Sequence, residues 1–288
     1  MIDFTLPDFT VGLRRNLVFA QLMRDCPQYF FEDVRIHSVY GCFPNCAVNG
    51  GRTFVREPYT PAQMEETFAA LDGYGVQARL TFTNMLVGEE HLADPYFNLI
   101  LDVAADHGAG VIVYSDVVSR YVRDRYPHME QTLSTTREIL DAGELNRQLG
   151  RYDVVVLNYN KNKDLAFLDA VEQPGKLEVM ANELCNPGCP HRGAHYLHNS
   201  RDQLEGRLTE FRRCDLAGRD FWKMAPSSPT ILTNDDVRLL HARYGVPRFK
   251  LVGRGVAGDV NLESYLHYLV RPEHRDGLRQ ALRQAGVA

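Results

Sequence analysis

The sequence lacks the features that would direct it to a membrane or to a nucleic-acid backbone. Its first residues, MIDFTLPDFTVGLRRN, show no charged start followed by a long apolar run, so no signal peptide is predicted. No apolar stretch is long enough to cross a bilayer. The net charge of -5 leaves no broad basic field, so a nucleic-acid partner is not expected. These absences predict a soluble, cytoplasmic protein with a small-molecule substrate.

Several catalytic motifs are also missing. No G-x-G-x-x-G follows an early strand, which removes the usual signature of a dinucleotide-binding sheet. No H-E-x-x-H is present, which removes a common zinc-protease motif. The radical-SAM spacing C-x3-C-x2-C would need a third cysteine where Arg192 stands, so cleavage of S-adenosylmethionine is disfavoured.

Apolar runs alternate with helical patterns along all 288 residues, and this alternation predicts the fold. Strands that alternate with helices are expected to pair in parallel, because each helix forms a right-handed crossover to the next strand. Eight strands suit a closed (β/α)8 TIM-type barrel better than an open sheet at this length. We therefore predict a single barrel domain over residues 1–288, with an N-terminal helix at 13–23, a helix at 204–212 and C-terminal helices. The eight predicted strands are 34–40, 77–83, 110–114, 130–134, 153–157, 177–181, 230–232 and 248–252.

Polar residues follow most of the predicted strands. In barrels of this kind the active site lies at the C-terminal ends of the strands, so these side chains are the candidates for function. From them and from the adjoining loop we predict four catalytic residues: Arg254, His195, Glu183 and Asn158. The other polar residues at strand ends are Thr83, Asn84, Asp116, Ser134, Thr135, Asn160 and Asn182.

The segment NELCNPGCPHRGAHYLH, at 182–198, is the sharpest chemical feature. Cys185 and Cys189 flank an Asn-Pro-Gly turn that brings both sulfurs to one side. Thiolates are soft ligands that suit iron–sulfur clusters or zinc. Cys214 is the expected third ligand, and the fourth is Cys42 or Cys46, which follow the first predicted strand. Cys26, at a helix end, is expected to be inert.

Three histidines, His191, His195 and His198, lie in the same segment. Zinc held by cysteines and a histidine is therefore an alternative to an iron–sulfur cluster. A histidine here is also suited to donate a proton or to contact a substrate.

Two motifs resemble peptidase family U32. The stretch 183–196 is similar to the cysteine-rich signature of that family, and Phe249 to Arg254 followed by Tyr265 resembles its Lys-x-x-Gly-Arg…Tyr ending. The sequence departs from the family pattern at Val252, where an acidic residue is usual, and in the spacing to Cys214. The chain is closest in size to the smaller subunit of the ubiquinone-hydroxylation pair.

The resemblance implies a barrel that binds a 4Fe-4S cluster through four cysteines. It implies oxygen-independent hydroxylation, with RNA bases or a ubiquinone precursor as substrates and prephenate involved in several members. It also implies that one ligand comes from the loop after the first strand, which supports Cys42 together with Cys185, Cys189 and Cys214.

Three hypotheses about function remain open from the sequence. The first is oxygen-independent hydroxylation or related redox chemistry on a small organic molecule, with Arg254, Arg192 and Lys250 available to bind a carboxylate. The second is a non-catalytic, cluster-binding subunit that needs a homologous protein partner. The third is a zinc-binding barrel or a peptidase-like hydrolase.

Overall fold

The computed structural model describes residues 1–51, 57–211, 227–253 and 258–287. Eight parallel strands pair in sequence order and close into a barrel, because the first strand pairs with both the second and the eighth. This confirms the predicted (β/α)8 fold. The strands are β1 (Ile2–Pro7), β2 (Val34–Gly41), β3 (Gln77–Phe82), β4 (Gly110–Val113), β5 (Gln131–Leu133), β6 (Val154–Val156), β7 (Leu177–Met180) and β8 (Arg248–Lys250).

Helices lie between the strands and after the last one. Capping side chains begin several of them. Thr60, for example, forms a reciprocal capping box with Gln63 at the start of the second helix. None of the helices in the described ranges is both long enough and apolar enough to span a lipid bilayer. The helices are α1 (Leu13–Asp25), α2 (Pro61–Asp72), α3 (Pro95–Asp106), α4 (Asp116–Arg125), α5 (Ala142–Leu149), α6 (Leu165–Asp169), α7 (Arg192–Leu204), α8 (Asn234–Tyr244), α9 (Gly258–Leu269) and α10 (Arg275–Gln284).

Alternation along β1 separates side chains that face the helices from side chains that face the barrel interior. In β1, Phe4 packs on the ring of Phe249 from β8 and on Tyr268 from α9. Its neighbour Thr5 instead bonds across the interior to Glu178 of β7. The large buried core therefore lies between the sheet and the helices, while polar groups such as Thr5 and Glu178 lie inside the barrel.

The structure differs from the predicted set of strands in two places. The first barrel strand is β1, which the sequence interpretation missed, so the predicted first strand is β2. The predicted seventh strand at 230–232 is wrong, because Ile231 forms only an isolated antiparallel bridge to Asn182. The missed strand and the wrongly predicted strand offset each other, so the predicted total of eight strands is correct.

One predicted helix is also misplaced. The sequence interpretation began a helix near Leu204, whereas α7 ends there and residues 207–211 are not helical. The helix begins earlier, at Arg192. As a result, the loop that carries the two neighbouring cysteines leads directly into α7 at the mouth of the barrel.

Candidate active site at the mouth of the barrel

A pocket of about 90 Å³ opens at the C-terminal ends of the strands. This volume is below the roughly 300–1,000 Å³ that is usual for drug-sized ligands, so the pocket fits a small ligand or one end of a larger one. Ten of its fourteen lining residues carry a polar side-chain group, and two of those groups are cationic. It is lined by Tyr40, Gly50, Thr81, Thr83, Ile112, Ser134, Thr135, Thr136, Met180, Glu183, Arg192, Tyr196, Lys250 and Val252.

Lys250 is the deeper of the two cations. It is the last residue of β8 and is 8% exposed. Its ammonium nitrogen lies 3.9 Å from the centre of the Tyr40 ring, within the range of a cation–π interaction. The same nitrogen lies 3.9 Å from Oε2 of Glu178, beneath the pocket.

A buried ionic layer lies beneath Lys250. Glu178 of β7 accepts hydrogen bonds at Oε1 from Arg79 of β3 and, at 2.7 Å, from the Thr5 hydroxyl. Arg79 also donates to the Thr132 hydroxyl. Burial by itself would raise the pKa of Glu178, but Arg79 and Lys250 outweigh it and hold that pKa at about 2. The carboxyl group is therefore a fixed negative charge inside the barrel.

Arg192, the first residue of α7, forms one wall of the pocket. It donates a 2.7 Å hydrogen bond to Oε2 of Glu183, and both side chains are less than a tenth exposed. Its guanidinium lies over the rings of Tyr159, at 4.2 Å, and Tyr196, at 5.0 Å. A planar cation held by a carboxylate and two rings has a fixed direction, which is the arrangement that arginine provides and lysine does not.

The loop that carries Cys185 and Cys189 lies just outside this wall. Gly188 takes a positive φ of 63°, which lets the loop turn back between the two cysteines. Burial raises the pKa of the Cys185 thiol, and the nearby Arg192 guanidinium opposes that rise. Both cysteines are half-buried. The loop therefore places a partly accessible pair of thiols next to the pocket arginine.

Cys42 and Cys46 occupy a different environment, since both are completely buried in the loop after β2. Cys46 belongs to the large apolar core, and burial raises the pKa of its thiol far above the usual range. Cys26 is half-buried at the end of α1.

The described residues do not by themselves provide a complete ligand set for a cluster. Within the ranges that the structure describes, no three histidine, cysteine, aspartate or glutamate side chains gather as they would around a metal ion. Cys185 follows β7 and Cys42 follows β2, and β8 and β1 lie between those two strands. Cys214 and Arg254 lie outside the described residues. The fit of four thiolates to one cluster is therefore incomplete over the described chain.

Two of the predicted catalytic residues lie away from the pocket wall. The Asn158 side chain caps the turn after β6, accepting a 3.0 Å hydrogen bond from the Asn160 backbone. His195 stacks on Phe211, with ring centres 4.6 Å apart. Tyr265, from the closing motif, is buried and donates to Asn16. These side chains order the turn, the helix and the core around the site.

The remaining strand-end residues divide between the pocket and the loops. Thr83, Ser134 and Thr135 line the pocket, as their positions after β3 and β5 imply. Asn84 instead holds loops together, because its amide donates to the backbone oxygens of Ala47 and Ser200. The remaining three also make polar contacts: Asp116 with Arg137, Asn160 with the Gly188 backbone, and Asn182 with the Val252 backbone.

The sequence interpretation missed Arg79 and Glu178. A signal for both was present, because each is a charged residue inside a short strand that is otherwise buried on both faces. A charge at such a position must face a partner across the barrel. The identity of that partner requires the register of the strands, which the sequence does not state.

The fold and the pocket define the class of protein: a closed (β/α)8 barrel with a polar pocket at its C-terminal mouth. A solved structure with a similar fold is described as "The Structure of the U32 Peptidase Mk0906". The TM-score is 0.56 with 13% sequence identity, and the match covers 88% of this chain and 93% of that one. The likeness confirms the U32-type barrel, and at this identity it shows the fold alone. No family model and no curated protein matches the sequence.

Proposed function

We propose that the protein is an enzyme that binds a small organic acid in the mouth pocket and carries out redox chemistry on it. The observation that carries the proposal is that Lys250 and Arg192 line one small pocket together with a series of hydroxyl groups. Cations and hydroxyl donors that converge on a small cavity are suited to a carboxylate.

The two cations have different roles in this proposal. Lys250 lies at the base, where its compact ammonium group binds one end of the ligand. Arg192 lies on the wall, where Glu183 and two aromatic rings fix its guanidinium for a directional hydrogen bond. Hydroxyl groups of Thr83, Ser134 and others orient the remainder of the ligand.

Oxygen-independent hydroxylation is the specific reaction that we propose, in which an organic hydroxyl donor supplies the oxygen and is reduced by the two electrons that the hydroxylated substrate loses. A 4Fe-4S cluster, when bound, would supply electron transfer at the rim, and its proposed ligands are Cys185, Cys189, Cys214 and Cys42. The proximity of the half-buried Cys185 thiol to Arg192 supports a cluster beside the pocket. A homologous protein partner stays a prediction from the sequence.

Binding of acetate, compared with its neutral isostere acetamide, tests the pocket. We expect acetate to bind the wild-type chain and the Lys250→Met variant to bind it at least about tenfold more weakly, because the compact cation is lost. Acetamide binding should be weak in both chains. Titration followed by nuclear magnetic resonance gives both dissociation constants.

The control replaces Lys163, a lysine that pairs with Asp236 and does not line the pocket. Lys163→Met should bind acetate as the wild type does. Equal acetate binding by the wild-type and Lys250→Met chains would refute the acid-binding proposal.

Peptide hydrolysis is a second candidate, which only the peptidase name of the similar structure favours. A cysteine protease activates its thiol with an adjacent base, whereas the charged groups beside Cys185 are Arg192 and Glu183, and Glu183 already accepts a hydrogen bond from Arg192. Release of peptides from a denatured protein substrate, lost in Cys185→Ala, would favour this candidate over redox chemistry.

A further inference from the structure

The buried carboxylate of Glu178 makes unequal contacts with its two oxygen atoms. Oε1 accepts hydrogen bonds from Thr5 and Arg79. Oε2 is buried and has no hydrogen-bond partner among the described residues, yet it lies 3.9 Å from the Lys250 ammonium. One side of the carboxylate is thus anchored across the barrel, and the other faces the cation at the base of the pocket.

We propose that Glu178 is a positioning residue that keeps Lys250 protonated and directed into the mouth pocket, and that Arg79 holds Glu178 in place for this purpose. This inference rests on the proposed function, in which Lys250 binds the acid group of the ligand. Glu178 itself does not touch the ligand, because Lys250 lies between it and the pocket.

The charges around Lys250 give the physical reason. A buried lysine tends to lose its proton, because a low-dielectric environment disfavours the charged form. Arg79 beneath it and Arg192 on the pocket wall also disfavour a third cation. Glu178 of β7 and Glu183 of the following loop oppose them, while Tyr40 and Tyr196 line the same space. Glu183 is already hydrogen-bonded to Arg192, so Glu178 is the carboxylate placed to stabilise the ammonium group.

The anchoring explains why Glu178 serves as a permanent charge. With two cations beside it, its pKa is about 2, so it stays ionised at every pH at which the protein would be assayed. A carboxylate bonded to Thr5 and Arg79 also cannot rotate away when a ligand draws Lys250 upward.

The pH profile of acetate binding tests this inference. Acetate stays ionised between about pH 6 and about pH 9, so a change of affinity over that range reports on the protein. We expect a level profile for the wild type. For Glu178→Gln we expect affinity near that of the wild type at about pH 6 and a loss of about tenfold or more by about pH 9, as Lys250 loses its proton.

Three further variants complete the test. Glu178→Asp keeps the negative charge, so it should restore the level profile. If Glu178→Gln weakened binding only by disturbing the packing, the shorter aspartate would not restore it. Adding Lys250→Arg to Glu178→Gln should also level the profile, since arginine keeps its charge without help. The matched control is Glu263→Gln, which removes a carboxylate that pairs with Arg279 between α9 and α10. Its profile should match the wild type.

The outcomes separate this inference from the proposed function. A level profile in Glu178→Gln, with binding lost in Lys250→Met, overturns the role of Glu178 and leaves the acid-binding pocket intact. Undiminished binding in Lys250→Met overturns both.

A measurement on the wild type covers the case in which Glu178→Gln does not fold. The chain has only five lysines, so their ammonium groups can be followed by nuclear magnetic resonance with labelled lysine. The Lys250 signal, assigned by its absence in Lys250→Met, should stay protonated to as high a pH as the other four. Earlier loss of its proton overturns the inference.

Discussion

The cysteines of this chain differ in burial: Cys185 and Cys189 are partly accessible, whereas Cys46 and the proposed ligand Cys42 are completely buried. Cys46 is in the apolar core with a pKa far above the usual range, so forming its thiolate there is costly. Cys185 and Cys189 are half-buried on one loop, where they remain accessible. A metal must reach its ligands, so the accessible pair is the part of the proposed ligand set that single substitutions test most directly.

Iron content after anaerobic purification tests the cysteine pair. We expect a brown protein with about four irons per chain and broad absorption near roughly 400 nm, as a 4Fe-4S cluster gives. Cys185→Ala and Cys189→Ala should each lose most of the iron, while Cys26→Ala, at the end of α1, should retain it. A colourless protein with one zinc would favour the zinc alternative, and iron that survives both loop substitutions would refute the ligand assignment.

The sequence could place residues at the mouth but could not orient them. Glu183 and Lys250 follow or end strands, and both line the pocket as that position implies. Asn158 has the same kind of position, yet its side chain is used in capping a turn. His195 is on α7 near Arg192, yet its ring stacks on Phe211 and does not line the pocket. These orientations depend on helix phase and local hydrogen bonds, which spacing alone does not determine.

At the scale of elements, the alternation of apolar runs with helical patterns correctly predicted the strands that have a helix on both sides in the sequence. β1 was missed because the alternating pattern IDFTLP is at the start of the chain, with no preceding helix to mark it as part of a repeat. The segment at 230–232 was predicted as an obscure seventh strand, and its residues Thr230, Ile231 and Leu232 are buried without forming one. A short buried run fits a strand and a packed loop equally well.

Helices α2 and α3 are joined by His107, whose side chain lies between two carboxylates. His107, which caps α3, lies 2.5 Å from Asp72 and 2.6 Å from Glu65 of α2. Burial lowers the pKa of His107, but the two carboxylates outweigh it and raise that pKa above 6.5. The charged form thus stabilises the folded state fully below about pH 6.5, and this contribution is lost as the pH rises through the folded-state pKa.

Replacing this histidine should remove that pH dependence. We expect His107→Gln to lower the free energy of unfolding by about 1 kcal/mol at about pH 5.5, a small effect because both carboxylates are half-exposed. At about pH 8.5 the loss should be smaller, because less of the wild-type His107 is charged there. Denaturant titration at the two pH values measures the change. His128→Gln, which alters an exposed histidine, should give the same small difference at both. An equal cost at the two pH values for His107→Gln would contradict the assignment.

At the scale of the whole molecule, closure of the barrel depends on the first seven residues. β1 pairs with β2 over six residues of each strand and with β8 over three. Its inward side chain Thr5 also anchors Glu178, so the same strand closes the sheet and supports the pocket. A barrel has no free edges, and opening it would expose the edges of β2 and β8.

Removal of β1 should therefore be far more harmful than removal of a peripheral helix. We expect deletion of residues 1–9 to give an aggregating chain without a cooperative unfolding transition, because two strand edges and the polar interior become exposed. Deletion of residues 275–288, which removes α10 and its buried Leu278 and Leu282, leaves the strands paired. That chain should unfold cooperatively at a lower denaturant concentration. Light scattering and urea titration distinguish the two shortened chains. If the chain without residues 1–9 unfolded cooperatively with an unchanged m-value, closure of the barrel through β1 would be dispensable.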